Sequence, residues 1–224
     1  MNGDDRVRLV RTLCAAVAGC SLLSFDAIAD GLYGGIEMAR ERLRFAPEYT
    51  VNGTPDGRYV NRATGTAGSL FAGHRRNLSS AWSLAFEARL TASDTRWRLH
   101  IPDEPASLRY DIPYSASLTV QPTFHASERV SLFVEGGLAL ARIRERKSGS
   151  PLSNYDKHDW RPGLAVGAGV NLRLGEAWSA RVGYRQARYR ELSYASRDAG
   201  GNVVERIRDK PEQSAWYVGV LRSF

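Results

Sequence analysis

The chain has 224 residues, 43% of them hydrophobic, with a formal net charge of +7 and a mean hydropathy of −0.36. The averaged index reads as soluble, but it is blind to strands whose polar and apolar residues alternate, because the two halves cancel. Only Cys14 and Cys20 are cysteines, and both lie in the segment read below as cleaved, so the rest of the chain has no disulfide framework and no cysteine metal site.

Residues 1–29 read as a signal peptide. Arg6, Arg8 and Arg11 form a positive n-region, "TLCAAVAGCSLLSF" is an apolar h-region, and "AIA" at Ala27 to Ala29 fits a cleavage site before Asp30. A membrane anchor needs about 20 apolar residues, and Asp26 ends this run too early. A rival processing site is "VAGC" at Val17 to Cys20, which resembles a lipobox and would place a lipid on Cys20. The segment carries three arginines and three aspartates (Asp4, Asp5, Asp26), so its loss leaves the charge at +7. An exported basic chain has an anionic neighbour as a natural partner, phosphate-bearing lipid or acidic polysaccharide rather than nucleic acid.

From residue 30 to 224 no stretch approaches the length of an apolar spanning helix. Instead, period-2 alternation recurs in segments bounded by turn residues. These predict strands at about 32–45, 66–76, 81–92, 110–126, 130–146, 159–175, 178–194 and 214–224. The connections alternate in length. "NLSS", "SER" and "EA" are short, whereas "NGTPDG", "IPDEP", "KSGSPLSNYDK" and "RDAGGN" mark long polar loops. Short turns at one rim and long loops at the other describe an all-β, eight-stranded, antiparallel, up-and-down transmembrane barrel.

Parity gives the same orientation. The sixth strand sets Leu164, Val166, Val170, Leu172 and Leu174 on one face, and Gly163, Gly167, Gly169, Asn171 and Arg173 on the other. Glycine and charge opposite a wall of leucine and valine suit a crowded polar lumen inside a lipid-facing exterior. A lipocalin-like soluble barrel is the competing reading, with the apolar face inward.

At this point the chain resembles the small eight-stranded outer-membrane barrels, OmpA-like and OmpX/Ail-like, over residues 30–224. The carriers are "GLYGGIEMA", "LFVEGGLALARI", "PGLAVGAGVNLRLGEAWSARVGYRQARY" and "WYVGVLRSF". The resemblance implies residence in the bacterial outer membrane, no cofactor, a monomer, and a role for Phe224 as the signal to the barrel-assembly machinery. Arg222 departs from the pattern, standing where the family has an aromatic. A structural role in the envelope, with loops that could act as an adhesin, also follows from this resemblance. The alternatives are a narrow porin-like channel and a lipid A-modifying hydrolase.

With the short turns on the periplasmic side, each odd-numbered strand runs outward and makes the same change on its lipid-facing parity. Ile36 and Met38 give way to Arg40, Arg42 and Arg44. Leu90 is followed by Arg96 and Arg98, Leu138 and Leu140 by Arg142, Arg144 and Arg146, and Tyr184 by Arg188 and Arg190. An arginine on the lipid face costs about 2–4 kcal/mol at the midplane and close to nothing at the interface, so the switch marks the outer edge of the hydrocarbon. These ten arginines could form a collar on lipopolysaccharide phosphates. They could equally be the charged face of strands that project into water.

Inward parity holds Glu37, Glu87, Arg89, Glu135, Arg173, Arg181 and Arg185, expected to neutralise one another in a plugged lumen or to line a narrow ion path. For catalysis, "FHASER" offers His125 and Ser127 with Glu135 following, but a Ser–His pair needs a hydroxyl within reach and a carboxylate behind the ring. The lipid A 3-O-deacylases, which this chain also resembles in "FVEGGLALA", carry His-x-Ser on the penultimate strand. Here Arg185 and Ala187 stand in those places. His74, His100 and His158 are single and give no metal spacing, so neither enzyme nor metal site is expected. Loop two (Arg96, Trp97, Arg98, Leu99, His100, Ile101) and loop four (Glu205, Arg206, Arg208, Asp209, Lys210, Glu212) read as candidate recognition surfaces.

Overall fold

A computed structural model describes residues 31–46, 48–51, 54–58, 61–100, 107–148, 155–197 and 203–224. The expected signal peptide, its cleavage site and Cys20 lie outside the described residues. β1 (Leu32–Phe45) is followed by the short β2 (Glu48–Val51) and β3 (Thr54–Arg58), then β4 (Asn61–Asn77), β5 (Trp82–Ser93) and β6 (Arg96–His100). Next come the long β7 (Ser107–His125), β8 (Val130–Ser148) and β9 (Tyr155–Arg173). The chain closes with β10 (Trp178–Tyr189), β11 (Leu192–Arg197), β12 (Val203–Asp209) and β13 (Glu212–Ser223).

Eight of these strands, β1, β4, β5, β7, β8, β9, β10 and β13, form a closed antiparallel barrel. The last strand pairs with the first from Tyr33↔Ser223 to Arg44↔Glu212, which leaves the barrel without an edge. Closure is what lipid demands, because hydrocarbon offers nothing to an unpaired N–H or C=O. β6 continues β5 after a break at Asp94 and Thr95. There the Asp94 carboxylate accepts hydrogen bonds from the Thr66 backbone N–H (2.7 Å) and hydroxyl (3.0 Å). In β7 the ladder slips between Asp111 and Tyr114, at Pro113, which has no N–H to give to a neighbour.

Three of the regions read as loops contain strands. β6 lies in loop two. Loops one and four contribute β2, β3, β11 and β12, which pair as a separate four-stranded sheet in the order β11-β12-β2-β3. The strand expected over 178–194 accordingly stops at Tyr189 and resumes as β11.

Along the barrel, apolar side chains point outward. Leu164 is 65% exposed, and Leu90, Leu118, Leu138, Val166 and Val218 are likewise open to the surroundings. Trp82, Phe124, Trp178 and Phe224 ring the end with short turns, and Trp160, Tyr184 and Trp216 mark the opposite border. Two aromatic girdles around an apolar band are the signature of a membrane barrel. The outward apolar run from Leu164 to Leu174 matches the roughly 9–11 residues a tilted strand needs to cross.

Beyond the outer girdle the two faces exchange character. On β1 the outward side passes to Arg40, Arg42 and Arg44, while the inward side passes from Glu37 and Glu41 to Leu43 and Phe45, both 0% exposed. β8 does the same, with Arg142, Arg144 and Arg146 outside and Ala141 and Ile143 buried. Where lipid surrounds the strands the barrel is polar within and oily without. Where water surrounds them it is built as a soluble barrel, with an apolar core.

Candidate functional site: a packed lumen and a cationic outer rim

Three carboxylates and three guanidiniums fill the middle of the lumen. Arg89 lies 2.5 Å from Glu87, 3.3 Å from Glu37 and 3.5 Å from Glu135. Arg181 lies 2.7 Å from Glu87 and 3.5 Å from Glu37. Arg185 completes the set, 2.7 Å from Glu135 and 3.2 Å from Glu37. Each acid thus sees at least two cations, which is how a low-dielectric interior tolerates charge at all. Neutral groups occupy remaining positions: Tyr33 donates to Glu87 (3.0 Å), Gln121 to Glu135 (3.2 Å), and Asn171 accepts from Arg181 (2.9 Å). Guanidinium faces lie on rings, Arg181 over Phe71 (4.6 Å) and Arg185 over Tyr217 (4.4 Å).

Glycines make this density possible. A methyl group on Gly167 would stand 2.6 Å from the Glu135 carboxylate, and one on Gly183 would stand 2.5 Å from the Tyr217 hydroxyl. Among the seven lumen charges read from parity, Arg173 is the exception. It is the last residue of β9, exposed at the short-turn rim beyond the filled part of the lumen, and it joins none of these ion pairs.

Further out, Glu41 accepts from Ser93 (2.5 Å) and Gln213 (2.7 Å), and Tyr189 donates to Gln213 (2.6 Å). Beside this shelf is a cavity of about 40 Å3, lined largely by alanine and serine and large enough for a few waters. Above it the lumen is capped by an apolar cluster built on Leu43, Phe45, Trp97, Tyr110, Ile112, Ile143 and Leu192. Phe45 stacks on Tyr110 at 4.9 Å, and Trp97 packs on both. Trp97 corrects the reading of loop two as an exposed recognition surface. It is 1% exposed because β6 continues the inward parity of β5, so Trp97 turns in while Arg98 turns out. Glu41, Gln121 and Asn171 were legible on the same inward parity as the named charges.

At the outer rim the ten arginines are not equivalent. Arg144 and Arg146 both clasp Asp156, at 2.5 and 2.8 Å, and Arg44 and Arg188 share Glu212 at 3.1 and 3.2 Å. Hydrogen bonds from Arg144 chiefly hold the Asp156 carboxyl well below the usual carboxylate range. Arg142 is half-buried opposite Trp160, and Arg96 stands opposite Asp111. Arg40, Arg42, Arg98 and Arg190 are exposed.

His125 and Ser127 do not form a dyad. The Ser127 hydroxyl accepts from the N–H groups of Arg129 (3.3 Å) and Val130 (3.1 Å) within its own turn. The imidazole instead meets Ser131 at Nδ1 (2.9 Å) and Ser83 at Nε2 (3.0 Å), and Glu135 is committed to Arg185 and Arg89. Among the described residues no group of three or more His, Cys, Asp or Glu side chains is arranged to hold a metal ion.

A closed barrel with hydrocarbon-facing strands and a charged, filled interior is an integral β-barrel membrane protein. The chain belongs to the outer membrane protein β-barrel domain family, whose model matches residues 12–224, and it resides in the bacterial outer membrane. Solved structures similar to it include Neisserial surface protein A (17% identity, 88% of this chain and 100% of that one, TM-score 0.46). The attachment invasion locus protein Ail of Yersinia pestis matches at 14% identity, over 84% of this chain and 99% of that one, with a TM-score of 0.39. The outer membrane protease OmpT of Escherichia coli matches at 7% identity, over 90% and 99%, with a TM-score of 0.52. Identities this low speak to fold alone. A search of curated proteins returned no match by sequence.

Proposed function

We propose that this protein is a sealed, non-enzymatic barrel that serves the integrity of the envelope and holds its place through contact with lipopolysaccharide phosphates. The observation that carries the reading is the double closure of the lumen, by the six-membered charge network and then by the Phe45, Trp97 and Tyr110 cap. A steady ion path would have to dissolve buried pairs and displace buried rings, and the desolvation of even one unpaired charge is expensive. Protein refolded into planar bilayers is expected to stay silent. Steady openings in the nanosiemens range would overturn the seal and favour the narrow channel.

Contact with lipopolysaccharide is supported by the arginines that begin at the outer girdle, because a guanidinium suits a phosphate in bidentate geometry. The extracted protein should retain bisphosphorylated lipid A in preference to its dephosphorylated form, and equal retention of both would remove this part of the reading. The non-enzymatic reading is supported at His125, where a serine rather than a carboxylate stands on each ring nitrogen and Glu135 is committed to Arg89 and Arg185. The reading of Phe224 as the assembly signal is supported by its exposure at the short-turn girdle, where the Arg222 guanidinium lies 5.4 Å from its ring centre.

A further inference from the structure

The ladder registers arrange the outward residues of β4, β1, β13 and β10 as a grid. The girdle tier reads Thr66, Arg40, Trp216 and Tyr184 across the four strands. The next tier reads Thr64, Arg42, Ser214 and Gln186, and the one beyond it Arg62, Arg44, Glu212 and Arg188. A cleft of about 210 Å3 opens on the two upper tiers, with Tyr184 at its base.

We propose that this cleft is a discrete site for the phosphate of an outer-leaflet glycolipid headgroup. The proposal deepens the lipopolysaccharide reading above and rests on it, replacing an even collar by one built site. Two observations converge on it. First, the donor set is right: the guanidiniums of Arg42, Arg44 and Arg62, the Ser214 hydroxyl and the Gln186 amide all line one space. Its one carboxylate, Glu212, is already shared between Arg44 and Arg188.

Second, the height is right. Two residues along a strand are about 7 Å, or about 5 Å along the normal once the tilt is included. Along their own strands, Ser214 and Gln186 therefore lie about 5 Å beyond Trp216 and Tyr184, and Arg42 the same distance beyond Arg40, within a headgroup layer that is on the order of 5–7 Å deep on each side. A lipid whose acyl chains pack against Trp216 and Val218 below would bring its phosphate to that tier.

The test uses the full-length protein in micelles, titrated with bisphosphorylated lipid A and followed by native mass spectrometry. One variant carries Arg42→Gln with Arg62→Gln, and a second carries Arg142→Gln with Arg146→Gln on the far side. An independent Ser214→Glu variant puts a carboxylate in the cleft while keeping every arginine. At least tenfold weaker binding is expected for the first variant and for Ser214→Glu, with little change for the far-side pair. Equal weakening by both arginine pairs would overturn the discrete site and leave the collar standing. No weakening by any variant would overturn both. Inorganic phosphate at millimolar concentration should fail to displace the lipid, and efficient displacement would show a free-anion site instead.

Discussion

Arg181 shows how narrowly a membrane barrel's interior is balanced. Its guanidinium is fully buried, pairs with Glu87 and Glu37, and lies on the ring of Phe71. Replacing it by methionine keeps much of the volume but leaves three carboxylates facing two arginines. We expect Arg181→Met to destabilise the refolded protein by about 3–5 kcal/mol, read as a lower temperature for loss of the compact band on electrophoresis. Adding Glu87→Gln should restore most of that loss, since the remaining acids and bases are again equal in number. Asp156 tests the other kind of charge, on strand ends outside the membrane. Its folded carboxyl sits below the unfolded value of about 3.9, so the clasp is complete above about pH 4 and fades only as pH falls through the lower folded value. Protection factors for hydrogen exchange at the outer ends of β8 and β9, corrected for the intrinsic pH dependence of exchange, should therefore be unchanged between pH 7 and 5. The Asp156→Asn variant should lose protection there even at neutral pH.

At the scale of the strand, the change of face beyond the girdle is the informative feature. Half of it was legible: the outward parity of the first, third, fifth and seventh strands turns to arginine, and each turn falls at the border of the apolar band. The other half was equally present in Leu43, Phe45, Trp97 and Ile143 but was obscured by taking loop two as a loop. An inward tryptophan flanked by arginines reads as an exposed contact unless the parity of β5 is carried across Asp94 and Thr95. The ion pairs were legible as a group, through parity. Their partners were not, because which guanidinium reaches which carboxylate depends on strand stagger. Arg173 was assigned inward on parity alone, although a strand's last residue has water within reach. The cap predicts that Trp97→Ala costs about 3–5 kcal/mol, confined to the outer end. Limited proteolysis should cut the outer strands of that variant faster while the membrane-embedded part stays resistant, whereas uniform resistance would mean the cap is not a packed core.

For the molecule as a whole, eight strands and alternating connections were readable because they depend only on period and turn residues. The second sheet was not. β2, β3, β11 and β12 are short, and nothing in a short strand's own alternation names its partner. That choice is made by the barrel, which brings the ends of β1 and β13 side by side and so delivers loop one to loop four.

This meeting has a mechanical meaning. Every cylinder rolled from one ribbon has a seam where the ribbon's two ends join, and here the join does not stop at the lipid border. Twelve residue pairs link β1 to β13, and four more, from Glu205↔Val51 to Arg208↔Glu48, carry the stitching onward through β2 and β12. A zip fastened above its track cannot be started from that side. Any sideways parting of this wall must therefore begin at the periplasmic hem, where the Phe224 N–H donates to the Leu32 carbonyl as the final stitch.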